Sequence, residues 1–248
     1  PVTLADLKVN EIIINRINYK YKDIDWEILS EENVKIDSGS VKSNSDWMWV
    51  LDPLDGTKDF IQGTTDYAMH LALNYKQKPY IGIVLIPEKN ELWIADGAKF
   101  WCEKRDGSII KTELSKNKEL QKMVLVTSKN HNNKTLLKLI QKINFSKVLY
   151  MGSIGCKIAS ILRGESDIYI CLSIPDKSSP KDWDFAAPEI ILKAAGGAIT
   201  YLDSKELIYG KSNYEQRGII IASNNINNHE YICQKVKEII KKYEIYPL

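Results

Sequence analysis

No run of apolar residues in this chain approaches the roughly 20 that cross a bilayer as a helix. A signal peptide is not expected either. An integral membrane segment is therefore not expected. Cysteine is sparse: Cys102, Cys156, Cys171 and Cys233 stand far apart and form no CxxC pair. That spacing argues against a structural zinc site and against a disulfide framework, and it fits reduced thiols in the cytoplasm. The three histidines, His70, His131 and His229, show no metal-ligand spacing. An excess of one charge is missing too, because 34 basic residues face 32 acidic ones for a formal net charge of +2. Such a balance creates no broad field for a nucleic acid polymer. Lys235, Lys237, Lys241 and Lys242 cluster near the C-terminus and read as a solvated helix face rather than a binding patch. Repeats, low-complexity tracts and long linkers are absent.

What is present suffices for a core: 44% of 248 residues are hydrophobic, enough for one large or two modest domains. Pro1-Val2-Thr3 reads like mid-protein sequence, as if a native helix preceded it. Apolar spacing predicts a helix over Asp6–Asn18 and a short strand at Ile28-Leu29. Val34–Ser45 is polar and reads as a loop or weak strand. Strands are predicted at Trp47–Leu51, Tyr67–Tyr75, Tyr80–Ile86 and Glu91–Ala95, with Asp96-Gly97 and Asp106-Gly107 punctuating hairpins. The second half alternates. Strands at Val124–Thr127, Lys147–Met151, Asp167–Leu172, Ala198–Tyr201 and Gly218–Ala222 interleave with helices at Asn133–Ile143, Ile154–Arg163, Trp183–Ala195 and Asn228–Lys242. The expectation is an α/β (α+β) fold in two subdomains, 1–120 and 121–248, packed as one compact unit.

The most informative stretch is Trp47-Met-Trp-Val-Leu-Asp-Pro-Leu-Asp-Gly-Thr-Lys-Asp-Phe60. Its aromatic and aliphatic run reads as a buried strand that stops at Asp52. Asp52 and Asp55 then lie between a strand end and a helix start. Carboxylate oxygens suit magnesium, which shares its shell with substrate phosphate, and helix-start N–H groups suit the phosphate. Other carboxylates occupy similar places. Glu31 and Glu32 follow a short strand, and Asp6 and Asp184 open helices. Taken singly, each has an ordinary reading: an N-cap for Asp6 or Asp184, a solvated pair for Glu31-Glu32, a turn for Asp52–Gly56. Their joint pattern is more specific.

Asp52-Pro53-Leu54-Asp55-Gly56-Thr57 resembles the DP[IL]DGT signature of the inositol monophosphatase superfamily. Trp183-Asp184, two alanines and Ala195-Gly196-Gly197 resemble its WDxAA…AGG signature. Ser30-Glu31-Glu32 is similar to its GEE segment, with serine for glycine, and Val2-Thr3-Leu4-Ala5-Asp6 to its VTxAD segment. Gly152-Ser153 and the helix after it resemble its substrate loop. These segments follow the family order and span almost the whole chain. The resemblance implies a layered αβαβα sandwich. The Thr57-Lys58-Asp59-Phe60 continuation is similar to that of CysQ-type 3'(2'),5'-bisphosphate nucleotidases, which remove a phosphate from adenosine 3',5'-bisphosphate (PAP), a product of sulfate activation. Plain inositol monophosphatases tend to continue Thr-Asn-Phe. Lys157 resembles a lysine of the nucleotidase loop, seven residues before Gly164, but stands one residue further from Gly152-Ser153 than in the common form. On its own, a lysine in a helix reads as exposed.

The resemblance implies the chemistry. Glu31, Asp52 and the Leu54 carbonyl would hold one Mg2+, and Asp52, Asp55 and Asp184 a second, with a third near Glu31. Asp6 and Thr57 would form a dyad that activates water, with help from Glu31. Gly56, Thr57, Gly152, Ser153, Lys157 and Asp184 would contact substrate. Lithium would inhibit by taking a metal site. The partner would be a small phosphate ester, a nucleotide bisphosphate or, alternatively, an inositol or sugar phosphate. Family members occur as monomers and homodimers. Ser128-Lys129-Asn130-His131 resembles a segment near the nucleotide, so His131 is a candidate substrate contact. Cys156 reads as a packing residue, and His70 as structural. A binding protein that has lost catalysis is disfavoured, because every acidic ligand position is filled.

Overall fold

The computed structural model describes residues 1–36, 45–112, 115, 117–130, 133–174 and 177–247. Helix α1 spans Leu4–Lys20. Thr3 caps it: its hydroxyl accepts the Ala5 N–H, while Asp6 reaches back to the Thr3 N–H. Asp6 is thus the third helical residue rather than the cap. Strand β1 (Glu27–Ser30) runs directly into the short helix α2 (Glu31–Ile36). The polar stretch expected to be loop or weak strand from Val34 is therefore helical as far as Ile36, and its 37–44 portion lies outside the described residues.

Strand β2 covers Trp47–Asp55 and is longer than its apolar run. It continues through Asp52, Pro53 and Leu54 because it stays paired with the next strand, with an irregularity in register between Asp52 and Asp55. Gly56 then turns with φ +91° into the five-residue helix α3 (Thr57–Ile61). Strands β3 (Ala68–Tyr75), β4 (Lys78–Ile86), β5 (Glu91–Asp96) and β6 (Lys99–Lys104) follow as a meander. The first sheet has the order β1-β2-β3-β4-β5-β6 and is antiparallel except for β1 with β2.

The second half supplies β7 (Val124–Ser128), α4 (Lys134–Ile143), β8 (Lys147–Met151), α5 (Ile154–Leu162) and β9 (Ile168–Leu172). It continues with α6 (Asp182–Ala194), β10 (Ala198–Tyr201), β11 (Ile219–Ser223) and α7 (Ile226–Lys242). Its sheet has the order β10-β11-β9-β7-β8. Helix α6 starts at Asp182, one residue before the Trp183 expected from sequence, and Asp184 is its third residue.

The layers alternate. Helices α1 and α2 pack on β2, α5 and α6 lie between the two sheets, and α4 and α7 cover the far side of the second. This is the αβαβα sandwich the sequence implied. One apolar cluster fills the space around α5 and α6, including Leu29, Val50, Trp93, Phe185 and Ile220. A second lies under α4 and α7, including Leu125, Leu139, Ile221 and Val236. Burial on this scale is the main stabilising term. Gly82 admits the central helix: a Cβ there would fall 2.3 Å from Ile190 Cγ2 and 2.8 Å from the Ala187 carbonyl oxygen.

Candidate active site

The C-terminal end of β2 and the first turn of α6 meet between the sheets. Asp52, Asp55 and Asp184 each offer an oxygen there, and these atoms all lie within 4.8 Å of one another. Asp52 is 1% exposed, and its Oδ1 accepts the Leu54 N–H at 3.0 Å. Burial pushes the Asp52 carboxyl well above the usual carboxylate range, and Glu31, Asp55 and Asp184 push it further. Burial and then Asp55 do the same to Asp184. Glu31 lies within hydrogen-bonding reach of Asp52, and burial raises its carboxyl too, against the opposing effect of Lys35. Lys35 Nζ sits 3.0 Å from Glu31 and 2.7 Å from Glu32.

Carboxylates this close repel one another unless protons or cations intervene. The donors are all hard oxygens, which suits Mg2+ rather than a soft transition metal. The residues therefore fit a divalent cation, and the compact acidic trio is the observation that carries this. Glu31 touches Asp52 but is not part of that trio.

Asp55 is oriented from across the molecule. Its Oδ2 accepts the Ser153 hydroxyl at 2.7 Å and the Ile154 N–H, which leaves Oδ1 for a cation. His70, opposite Asp52 in the β2–β3 ladder, is fully buried, and its Nε2 lies 3.4 Å from the same Oδ2. Desolvation lowers the imidazole pKa, and the neighbouring Asp55 opposes that. A Cβ at Gly155 would fall 2.3 Å from His70 Nε2, so glycine makes room for the ring. Sequence reasoning gave His70 a structural role, and no local signal placed it beside Asp55.

Asp6 and Thr57 do meet. The Thr57 hydroxyl is 3.0 Å from the Leu54 carbonyl and 3.3 Å from Asp6 Oδ1. Asp6 is fully buried, and its Oδ2 also accepts the Thr3 hydroxyl at 2.6 Å. The Asp184 Oδ2 accepts the Lys181 N–H at 2.6 Å, so this carboxylate helps cap α6 as well as joining the trio.

Lys157 is not the exposed lysine that a helix position on its own suggests. It is 1% exposed, its Nζ donates to the Gly152 carbonyl at 2.6 Å, and it lies 5.6 Å above the Tyr169 ring. Desolvation lowers its pKa, and Asp55 opposes that. The lysine supports the Gly152–Ser153 turn from below. Cys156 is buried, with its thiol pushed up to about 12 by desolvation, as a packing residue would be. His131 lies outside the described residues.

Sequence reasoning missed the role of Asp59, the fourth residue after Asp55. Burial would raise its carboxyl, yet donors from Thr64, Lys129 and Asn130 outweigh that and hold it below the usual range.

Comparison with known proteins fits this geometry. Residues 1–241 match the sequence profile of the inositol monophosphatase family. A curated relative, 3'(2'),5'-bisphosphate nucleotidase 1 of Mus musculus, is 29% identical over 226 residues, 89% of this chain and 70% of its own length. The 3'(2'),5'-bisphosphate nucleotidase CysQ of Buchnera aphidicola is 30% identical over 215 residues, 86% of this chain and 76% of its own. Among solved structures, an IMPase of Thermotoga maritima superimposes with a TM-score of 0.75 at 25% identity, covering 99% of this chain and 85% of that one.

Proposed function

The chain belongs to the inositol monophosphatase family, and we propose that within it this phosphatase hydrolyses the 3'-phosphate of adenosine 3',5'-bisphosphate to give AMP and phosphate. Adenosine 3'-phosphate 5'-phosphosulfate is a second candidate substrate. The single observation that carries a phosphatase reading is the convergence of Asp52, Asp55 and Asp184 between the sheets. The nucleotide reading rests on two supports: relatives named as bisphosphate nucleotidases, and the Thr57-Lys58-Asp59-Phe60 continuation of the signature.

Two Mg2+ ions are proposed, one on Glu31, Asp52 and the Leu54 carbonyl and one on Asp52, Asp55 and Asp184, with a third near Glu31. When bound, such cations offset the ester's negative charge and lower the pKa of water. The chain's own residues do the rest. Asp52, which is buried, would contribute to both sites. Asp55 is held in one orientation by Ser153 and Ile154. The Thr57 hydroxyl lies between the Leu54 carbonyl and Asp6, and it would take a proton from the attacking water and pass its own to Asp6. The N–H groups of Gly56 and Thr57 are the proposed phosphate donors. Gly152, Ser153 and Lys157 are the proposed contacts of the substrate loop, with the Lys157 ammonium held on the Gly152 carbonyl. The proposed setting is the cytoplasm, as a monomer or homodimer.

A preference for inositol or sugar phosphates is the rival reading, favoured by solved neighbours that are inositol monophosphatases. Comparing kcat/KM for PAP and inositol 1-phosphate in Mg2+, with and without Li+, decides between them. A clear preference for PAP, suppressed by Li+, is expected. A preference for inositol phosphate would overturn the nucleotide reading and leave the phosphatase reading intact.

A further inference from the structure

Asp59 is fully buried on α3, but it is no ordinary helix residue. Its Oδ1 accepts the Lys129 ammonium at 3.0 Å and the Thr64 hydroxyl at 2.7 Å. Its Oδ2 accepts the Asn130 amide at 2.7 Å. Lys129 and Asn130 follow β7, so these bonds tie the first half of the chain to the second. The same Oδ2 abuts a third segment. A Cβ at Gly152 would fall 2.1 Å from it and 2.7 Å from the Asp66 carbonyl oxygen. That Asp66 carbonyl accepts the Ser153 N–H at 3.1 Å, and the Lys129 N–H donates to the Met151 carbonyl at 3.0 Å. Four chain segments therefore close around one carboxylate: α3, the Asp66 loop, the end of β7, and the turn between β8 and α5.

The consequence lies one residue further along. Ser153 and Ile154, which follow Gly152, donate to Asp55 Oδ2, joined by the longer Gly155 N–H bond at 3.4 Å. A carboxylate that sets Gly152 against α3 also sets those donors. The half-exposed Lys129 matches the buried charge, so the junction is electrically closed without drawing on the acidic trio. A helix residue with only a packing role would carry an apolar side chain here, because a buried carboxylate costs several kcal/mol unless it is fully bonded.

We propose that Asp59 is a positioning residue, which holds the Gly152–Ser153 turn in the place from which it orients Asp55 and so assembles the acidic trio. The inference rests on the trio being the cation site, and it acts through Asp55 rather than on substrate. It predicts two separable effects of Asp59→Asn, which keeps the size of the side chain but removes its charge and one acceptor. Amide exchange at Ser153 and Ile154 should accelerate while exchange in β3, β9 and β11 is unchanged. Mn2+ affinity, measured by calorimetry, should fall about tenfold, as when groups that orient metal ligands are altered. Lys129→Met, at a half-exposed position, should produce the same two effects more weakly, and the double variant should be no worse than Asp59→Asn alone.

If exchange at Ser153 and Ile154 is unchanged in Asp59→Asn, or rises equally across the whole chain, the inference is overturned. Multiplicative effects of the two substitutions would overturn it as well, since the residues would then act separately. Should the unmutated protein bind no Mn2+, the cation-site reading fails, and with it the claimed purpose of the junction. Amide exchange would then still decide whether Asp59 holds the turn.

Discussion

The Ser153 hydroxyl donates to Asp55 Oδ2 at 2.7 Å across a separation of 98 residues. Ser153 also caps α5, where its oxygen accepts the Cys156 N–H. One side chain thus starts a helix in the second half and orients a carboxylate in the first. Ser153→Ala should cost about 1 kcal/mol through the lost cap. It should also reduce kcat about tenfold, by freeing Asp55. Denaturant midpoints and steady-state kinetics separate the two effects. A stability loss with unchanged kcat would show that Asp55 needs no help from Ser153.

Asp52→Asn should abolish turnover, because Asp52 is the carboxylate assigned to both cations. Stability should move the other way. The metal-free protein should gain thermal stability, since burial and three neighbouring carboxylates all disfavour the Asp52 charge. In the unmutated protein, Mg2+ at a hundredfold excess over Kd should add about 2.7 kcal/mol, and EDTA should remove it. The variant should lose most of that gain. Retained Mg2+-dependent turnover in Asp52→Asn would refute the assignment.

Gly56 precedes α3 at φ +91°, and a Cβ there would meet the Asp66 carbonyl oxygen at 2.6 Å. Both strain and contact oppose a side chain. Gly56→Ala is expected to cost about 1–3 kcal/mol and to lower kcat/KM by shifting Thr57 away from Asp6. A chemical denaturation curve superimposable on that of the unmutated protein would contradict this.

His229 is buried, with Thr200 on one ring nitrogen and Ser223 on the other, each at 2.8 Å. Desolvation lowers its pKa from 6.5 to about 4. Because the folded value is the lower one, the unfolded chain takes up the proton first as pH falls. The contribution is complete above pH 6.5 and is lost as pH drops toward 4. Between pH 7 and pH 5 the loss is about 2 kcal/mol. His229→Gln should narrow the stability gap between those two pH values. Asp182 acts with opposite sign: desolvation raises its carboxyl to about 6, so its contribution declines as pH rises from 3.8 through 6. Urea titrations of both proteins at the two pH values test the histidine's share by difference, since Asp182 is common to them.

The elements were largely legible because their signals are local. Apolar runs bounded by turn residues marked β3 and β4, and the Gly196-Gly197 pair marked the end of α6. Boundaries moved where tertiary contacts outweighed those signals. Pairing with β3 carried β2 through Pro53 to Asp55, and α2 formed directly at the end of β1, where a polar loop or weak strand was expected. Pro53 and the polar composition after Glu32 both misled, because neither reports what a segment packs against.

The residue types of the candidate site were written in the chain itself: oxygen donors at strand ends and helix starts, in an order shared with the inositol monophosphatase family. Which of them meet was a tertiary matter. Asp184 joins Asp52 and Asp55 only because α6 lies between the sheets. Lys157 on its own read as an exposed lysine until α5 was buried on all sides. Asp59 looked like one more charge in a signature, and the fold closed four segments around it. Sequence records propensities over a few neighbouring residues. Burial and long-range hydrogen bonds depend on segments far apart in the chain, and they exist only once the layers have packed.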